Sequence, residues 1–69
     1  EIMNIGANVR DRREREGLDQ CELAERVHVT QVMISYIERG RKMPSVPLLK
    51  DIAKALHCTM DELAADRSA

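Results

Sequence analysis

The sequence of 69 residues predicts an all-α domain of five short helices. Apolar residues recur at three- and four-residue spacing, as on one face of a helix. Residues that cap helix starts, and glycines that end helices, separate these segments. Phe and Trp are absent and Tyr36 is the single aromatic residue, so the core must be aliphatic. The length allows one domain with a small core.

The helix ends can be placed from these signals. The first helix is expected from about Asn4 to Glu16, the second from Gln20 to Val27 and the third from Gln31 to Arg39. A fourth follows a cap at Ser45 and a fifth follows a capping box at Thr59. We therefore expect one compact domain over residues 4–65, with flexible termini at 1–3 and 66–69.

Helical periodicity also predicts which side chains point inward. The expected core consists of Ile5, Val9, Leu23, Ala24, Val27, Ile34, Ile37, Leu49, Ile52, Ala53 and Leu56. A short internal repeat joins two of the helix ends, because the pattern Ala-x-x-Val/Leu-His-x-Thr occurs at residues 24–30 and 53–59. Such joints often need a residue with positive φ, so His28 and His57 are expected in the left-handed region.

Charge and composition limit the possible partners. The net charge is −1, but residues 30–50 carry +3 while the rest carries −4, so the positive charge is concentrated in one segment. No apolar run is long enough for a membrane span and no secretory signal is recognisable. Cys21 and Cys58 lack a CxxC pattern, and we interpret them as reduced thiols of a cytoplasmic protein. Cys58 is expected in the core.

The second and third helices predict a helix-turn-helix. Two short helices joined by a turn of 3–4 residues lay the second helix in a major groove of DNA. With Ile34 and Ile37 inward, the outward residues of that helix are Gln31, Val32, Met33, Ser35 and Tyr36. The exposed aliphatic groups suggest a surface that meets a partner.

The residues so placed resemble the lambda-repressor-like, Cro/CI-type helix-turn-helix family of bacterial and phage regulators. The resemblance covers residues 5–63 and rests on eight short pieces in order: GLDQ at 17–20, ELA at 22–24, VTQ at 29–31, IS at 34–35, IERG at 37–40, PS at 44–45, IAKAL at 52–56 and DEL at 61–63. It implies a compact five-helix, lambda-repressor-like DNA-binding domain.

The resemblance also implies roles for particular residues. Gln31, Val32 and Tyr36 are expected at base edges, flanked by Met33 and Ser35. A glutamine amide can pair with adenine, and a valine can pack on a thymine methyl group. The DNA phosphates are expected to contact Gln20, Arg39, Arg41 and Lys42.

The resemblance also implies an ion pair and a set of candidate contacts on the last helix. Arg13 and Glu38 match a partly buried ion pair that holds the reading helix at its angle. Met60, Leu63 and Ala64 are candidates for core closure, for a dimer seam, or for both. A dimer would bind a pseudo-palindrome with half-sites roughly 34 Å apart.

Some positions depart from the family pattern. Asp19 replaces the usual Ser or Thr and puts a negative charge where a phosphate should approach. Arg12 stands where Leu or Ala is usual, and its stem is expected to cover the core. His28 and His57 replace glycine, which costs stability.

Other functions have less support. The His and Cys residues fit no zinc-finger spacing, so no metal or other cofactor is expected. No set of catalytic residues is recognisable, and we expect a non-enzyme. The sequence therefore predicts a sequence-specific regulator of transcription that binds double-stranded DNA as a homodimer, at the nucleoid, with no small-molecule effector evident. The alternative is an antitoxin-like or other protein-interaction module on the same fold.

Overall fold

A computed structural model describes residues 4–65, and within that range the chain forms five helices and no strand. They are α1 (Ile5–Arg15), α2 (Gln20–Arg26), α3 (Gln31–Glu38), α4 (Val46–Ala55) and α5 (Met60–Ala64). The starts of α2 and α3 are those predicted, and the ends of α1, α2 and α3 each come one residue earlier. The predicted flexible termini, 1–3 and 66–69, lie outside the described residues.

Four helices begin at a side-chain cap. Asp19, Thr30, Ser45 and Thr59 each accept a hydrogen bond, 2.8 to 3.3 Å long, from the backbone N–H three residues further on. The capping box predicted at Thr59 is present, since Glu62 accepts a hydrogen bond from the Thr59 N–H in return. This hydrogen bond lowers the pKa of Glu62. Because each cap satisfies a donor that the helix itself leaves open, these residues fix where the helices start.

After each of the first four helices, the second residue beyond the helix end has a positive φ. His28 has φ 61° and His57 has φ 58°, as the internal repeat predicted, and Gly17 and Gly40 take φ 72° and 75°. After each histidine the chain turns back on its own helix, with the Val29 N–H donating to the Ala24 carbonyl at 3.0 Å. The Cys58 N–H bonds to the Ala53 carbonyl in the same way, at 2.9 Å. The repeat is thus one helix-ending motif used twice.

The core lies between the helices and is aliphatic. The expected aliphatic core residues are all buried, and Leu18 and Leu63 are buried with them, whereas Cys58, which was also expected in the core, is only half-buried against it. The first helix packs across α3 and α5, and α2 packs on α3. The backbones of α1 and α3 lie close together at Gly6, where an added Cβ would lie 2.8 Å from the Glu38 carbonyl oxygen and closer still to that of Ile37. Only glycine therefore fits at this crossing without moving a helix.

The end of α5 is tied to α1. The Asn8 side chain is buried, and its amide nitrogen donates to the carbonyl oxygens of Leu63 at 2.7 Å and Ala65 at 2.8 Å. These hydrogen bonds satisfy acceptors that a helix end leaves without partners. Asn8 thereby holds the short last helix against the first.

One of the three candidate residues on α5 fills the core-closure role that was considered for it. Leu63 is fully buried, so it closes the core and is not available for contact with a second copy. Met60 and Ala64 are half-buried and pack against the same core. Of the two roles considered for this helix, core closure is the one that Leu63 fills.

Within residues 4–65, no helix is both long enough and apolar enough to cross a membrane.

Candidate nucleic-acid interface

The third helix presents an open face to solvent. Thr30 caps its start, and Ile34 and Ile37 anchor its inner side in the core. Gln31 is exposed on the outer side, as are Val32 and Tyr36, with 54% and 41% of their surface accessible. An amide, an aliphatic group and a phenol thus project from one short helix that no other part of the described chain covers. These groups can hydrogen-bond to base edges and pack on base methyl groups.

The two flanking residues are less open than expected. Met33 was predicted to point outward, but it is half-buried and packs against the core. Ser35 is also half-buried. The apolar side of α3 is therefore wider than the pair Ile34 and Ile37, and Met33 is turned outward only in part.

Exposed cations lie at the end of α3 and in the following loop. The residues are Arg39, Arg41 and Lys42. They line a groove of about 430 Å³ together with the start of α1 at residues 4–7. Arg39 also lies over the ring of Tyr36, with its guanidinium carbon 5.7 Å from the ring centroid, which is within cation–π range. These cations border the open face of α3 and can attract phosphates locally.

The ion pair implied for Arg13 and Glu38 is present and largely buried. The Arg13 Nε donates to one Glu38 oxygen at 2.7 Å and its second terminal nitrogen donates to the other at 3.0 Å. The remaining terminal nitrogen bonds to the Leu18 carbonyl at 2.8 Å. Only 3% of the Glu38 side chain is accessible. The hydrogen bonds to Glu38 raise the pKa of Arg13, so the pair stays charged and joins α1 to the end of α3.

The same carboxylate begins a chain of hydrogen bonds that reaches the open face. The Gln20 amide nitrogen donates to Glu38 Oε1 at 2.9 Å. Its amide oxygen accepts a hydrogen bond from the Gln31 amide nitrogen at 2.6 Å. Gln20 was expected to clamp a phosphate, but its side-chain nitrogen and oxygen both have protein partners. Only one N–H of its side-chain amide remains available for a phosphate. The sequence did not predict these links, although two glutamines that open consecutive helices of a helix-turn-helix are a sign that could have suggested them.

The thiols and imidazoles do not form a metal site. Within residues 4–65 there is no group of three or more potential metal ligands among His, Cys, Asp and Glu. Cys21 is exposed on α2, while Cys58 is half-buried and packs against the core. Burial raises the pKa of the Cys58 thiol, which keeps it in the neutral form.

The comparisons with known proteins agree with this geometry. The helix-turn-helix family model matches residues 9–63. The chain therefore belongs to the Cro/CI-type helix-turn-helix family. An uncharacterized HTH-type transcriptional regulator of Methanothermobacter thermautotrophicus is 50% identical over 48 residues, which are 70% of each chain. The relatives that the chain resembles are regulators of transcription, a class that is not enzymatic.

Two further likenesses are informative. The competence pilus inhibition repressor of Acinetobacter baylyi is 36% identical over 61 residues, which are 88% of this chain and 56% of that protein. The crystal structure of the P22 c2 repressor bound to a synthetic operator superposes with a TM-score of 0.84 at 34% identity. The match covers 90% of this chain and 94% of the chain in that crystal structure. The present chain thus spans little more than half of the Acinetobacter repressor and nearly all of the chain in the P22 c2 crystal structure.

Proposed function

We propose that this chain is a DNA-binding regulator of transcription that reads specific sequences in double-stranded DNA with α3 in the major groove. The observation that carries the proposal is the open outer face of α3 with cations at its end. A helix of this size fits the major groove, and basic residues beside it can hold the sugar–phosphate backbone. The likeness to an operator-bound repressor supports the same orientation.

Each side chain on the face has a distinct part in this proposal. Gln31 pairs with an adenine through its amide, and Val32 packs on a thymine methyl group. Tyr36 contacts a sugar, a phosphate or a base next to the bases that Gln31 and Val32 read. Ser35 lies next to Tyr36 at the same DNA surface. Arg39, Arg41 and Lys42 contact phosphates, which carry no sequence information but set the register of the helix.

The regulator is expected to act as a homodimer on a pseudo-palindromic operator, in the cytoplasm and at the nucleoid. Two α3 helices would then enter successive major grooves, roughly 34 Å apart. Met60 and Ala64 remain as candidate dimer contacts on α5. Analytical ultracentrifugation with and without a selected duplex would give the stoichiometry, and a single copy bound per operator would contradict the dimer.

Selection from a random duplex pool, followed by binding measurements over a range of salt concentrations, tests the proposal. Gln31→Ala and Val32→Ala should each relax the preference at one base pair by about fivefold or more. Arg41→Ala should weaken binding to all sequences alike and reduce the salt dependence by about one phosphate contact.

Lys54→Ala is the matched control for charge. Lys54 is exposed beside Arg26, His28 and Asp51, in a cleft that contains no residue of the α3 face. Its loss should leave the preferred sequence unchanged. If no duplex binds at micromolar concentration in low salt, the proposal is wrong.

A second candidate is a protein-interaction module on the same fold. It is favoured by Met43 and Val46, which are 63% and 67% exposed and lie outside α3. Val46→Glu should abolish capture of such a partner while DNA binding persists. If DNA binding is absent and a partner is captured, this second candidate replaces the first.

A further inference from the structure

We propose that Glu38 is a positioning residue that sets the base preference of Gln31, although it lies too deep to touch DNA. It acts through Gln20, by fixing which way round each of the two amides must point. The inference rests on the proposed function, because it assumes that Gln31 reads a base.

The direction of this chain of hydrogen bonds starts from the buried ion pair. Both carboxylate oxygens of Glu38 face the Arg13 guanidinium, at 2.7 and 3.0 Å. A carboxylate paired with a guanidinium is ionised, and an ionised carboxylate can only accept hydrogen bonds. Any amide that bonds to Glu38 must therefore turn its nitrogen toward it.

Gln20 is the amide that does so. Its nitrogen lies 2.9 Å from Glu38 Oε1, so its oxygen must point the other way, toward Gln31. An amide oxygen only accepts, so Gln31 in turn must present its nitrogen, which lies 2.6 Å from the Gln20 oxygen. Without the carboxylate, either amide could rotate by half a turn and reverse the pattern. The buried charge removes that freedom.

The fixed direction determines what Gln31 can offer to DNA. One N–H of Gln31 is used by Gln20, so its carbonyl oxygen and its second N–H remain. An acceptor beside a donor matches the N6 and N7 atoms of adenine in the major groove. A reversed Gln31 would engage its oxygen with Gln20 and present two N–H groups, which suit the O6 and N7 acceptors of guanine. Glu38 thus favours adenine over guanine at this base pair.

The experiment measures binding to the selected half-site and to all its single base-pair substitutions. Gln31→Ala first identifies the pair that this residue reads, and Val32→Ala identifies a reference pair. Gln20→Met then breaks the middle link, and the double variant Arg13→Met/Glu38→Leu removes the anchor without leaving a buried charge unpaired. Each should reduce discrimination at the Gln31 pair by about fivefold and leave the reference pair within about twofold.

The variant Glu38→Gln tests the direction itself. Its amide can turn either its oxygen or its nitrogen toward Gln20, because neither orientation lets it accept from both nitrogens of Arg13, so the direction of the chain of hydrogen bonds is no longer fixed. The preference for adenine over guanine at the Gln31 pair should therefore weaken. Thermal melts establish which variants fold. If Glu38→Gln does not fold, Gln20→Met and the double variant test the role of Glu38 instead. Gln20→Met leaves the buried ion pair between Arg13 and Glu38 intact.

The possible failures are distinguishable. If Gln31→Ala changes no preference, Gln31 reads no base and this part of the proposed function is wrong. If Gln31→Ala relaxes one pair but Gln20→Met and the double variant do not, the proposed function stands and the role of Glu38 is refuted. A purely structural role for Glu38 would weaken binding to every sequence equally, and that outcome also overturns the inference.

Discussion

Replacing Gly6 by alanine tests how closely α1 and α3 must approach. The new Cβ would lie 2.8 Å from the Glu38 carbonyl oxygen and closer still to that of Ile37. Both obstacles are backbone atoms, which cannot rotate away as a flexible side chain can. The first helix must therefore move off the end of α3, or the carbonyls must lose their present geometry.

The cost can be worked out from these contacts. Extra volume in a packed interior costs typically ~1–3 kcal/mol, and two rigid carbonyls put Gly6→Ala at the upper end. The higher helix propensity of alanine offsets this loss of stability by ~1 kcal/mol. We therefore expect the free energy of unfolding to fall by about 2 kcal/mol. In a domain of this size, that lowers Tm by roughly 8–16 °C.

Thermal and urea unfolding, followed by circular dichroism at the helix band, measure this loss. Gly17→Ala is the matched control, because a Cβ there meets nothing within 4 Å and only the φ of +72° is unfavourable. It should cost about 1 kcal/mol. The reasoning is refuted if Gly6→Ala is as stable as the parent, or is no less stable than the control.

Three further results are expected. Arg13→Met leaves the carboxylate of Glu38 buried without its partner and should cost roughly 3 kcal/mol, whereas Arg13→Met/Glu38→Leu should cost less than half as much by urea unfolding. His28→Gly relieves a left-handed conformation and should raise the free energy of unfolding by up to about 1 kcal/mol. The pKa of Glu62 is lowered in the folded state, so its contribution is present at neutral pH and is lost as pH falls through that lowered pKa. Melts between neutral pH and about pH 3 should therefore show less acid destabilisation for Glu62→Gln than for the parent.

Each of these three predictions would be contradicted by a specific result. A double variant as unstable as Arg13→Met would mean that packing, not the unpaired charge, dominates. A less stable His28→Gly would show that the imidazole contributes more than its backbone strain costs. Equal acid sensitivity of parent and Glu62→Gln would remove the capping box as a source of pH dependence.

Local signals in the sequence were enough for most of the fold. The spacing of Leu23, Ala24 and Val27 identifies a buried face because helix geometry alone brings such residues together. The cap at Thr59 could be identified for a similar reason, since its partners lie within three residues. The left-handed His28 was predictable from a repeat with a second joint of the same pattern.

Other features depend on contacts that are distant in the sequence. The last helix, α5, has only five residues, too few for a periodic pattern to separate an inward Leu63 from an outward one. Met33 is adjacent to Ile34, and only the packing of neighbouring helices decides that Met33 also contacts the core while part of it stays exposed. The bond between Gln20 and Glu38 joins residues 18 apart and depends on how α2 crosses α3.

Tyr36 gives the protein a built-in optical reporter. The chain contains no tryptophan and no other tyrosine, so its ultraviolet emission comes from one phenol. That phenol stands on the outer face of α3 with Arg39 over its ring. Docking of any macromolecule on this face should change the intensity of that emission, while events on the far side of the domain should leave it constant. Unlabelled protein can therefore report, in a cuvette, which of its surfaces is occupied.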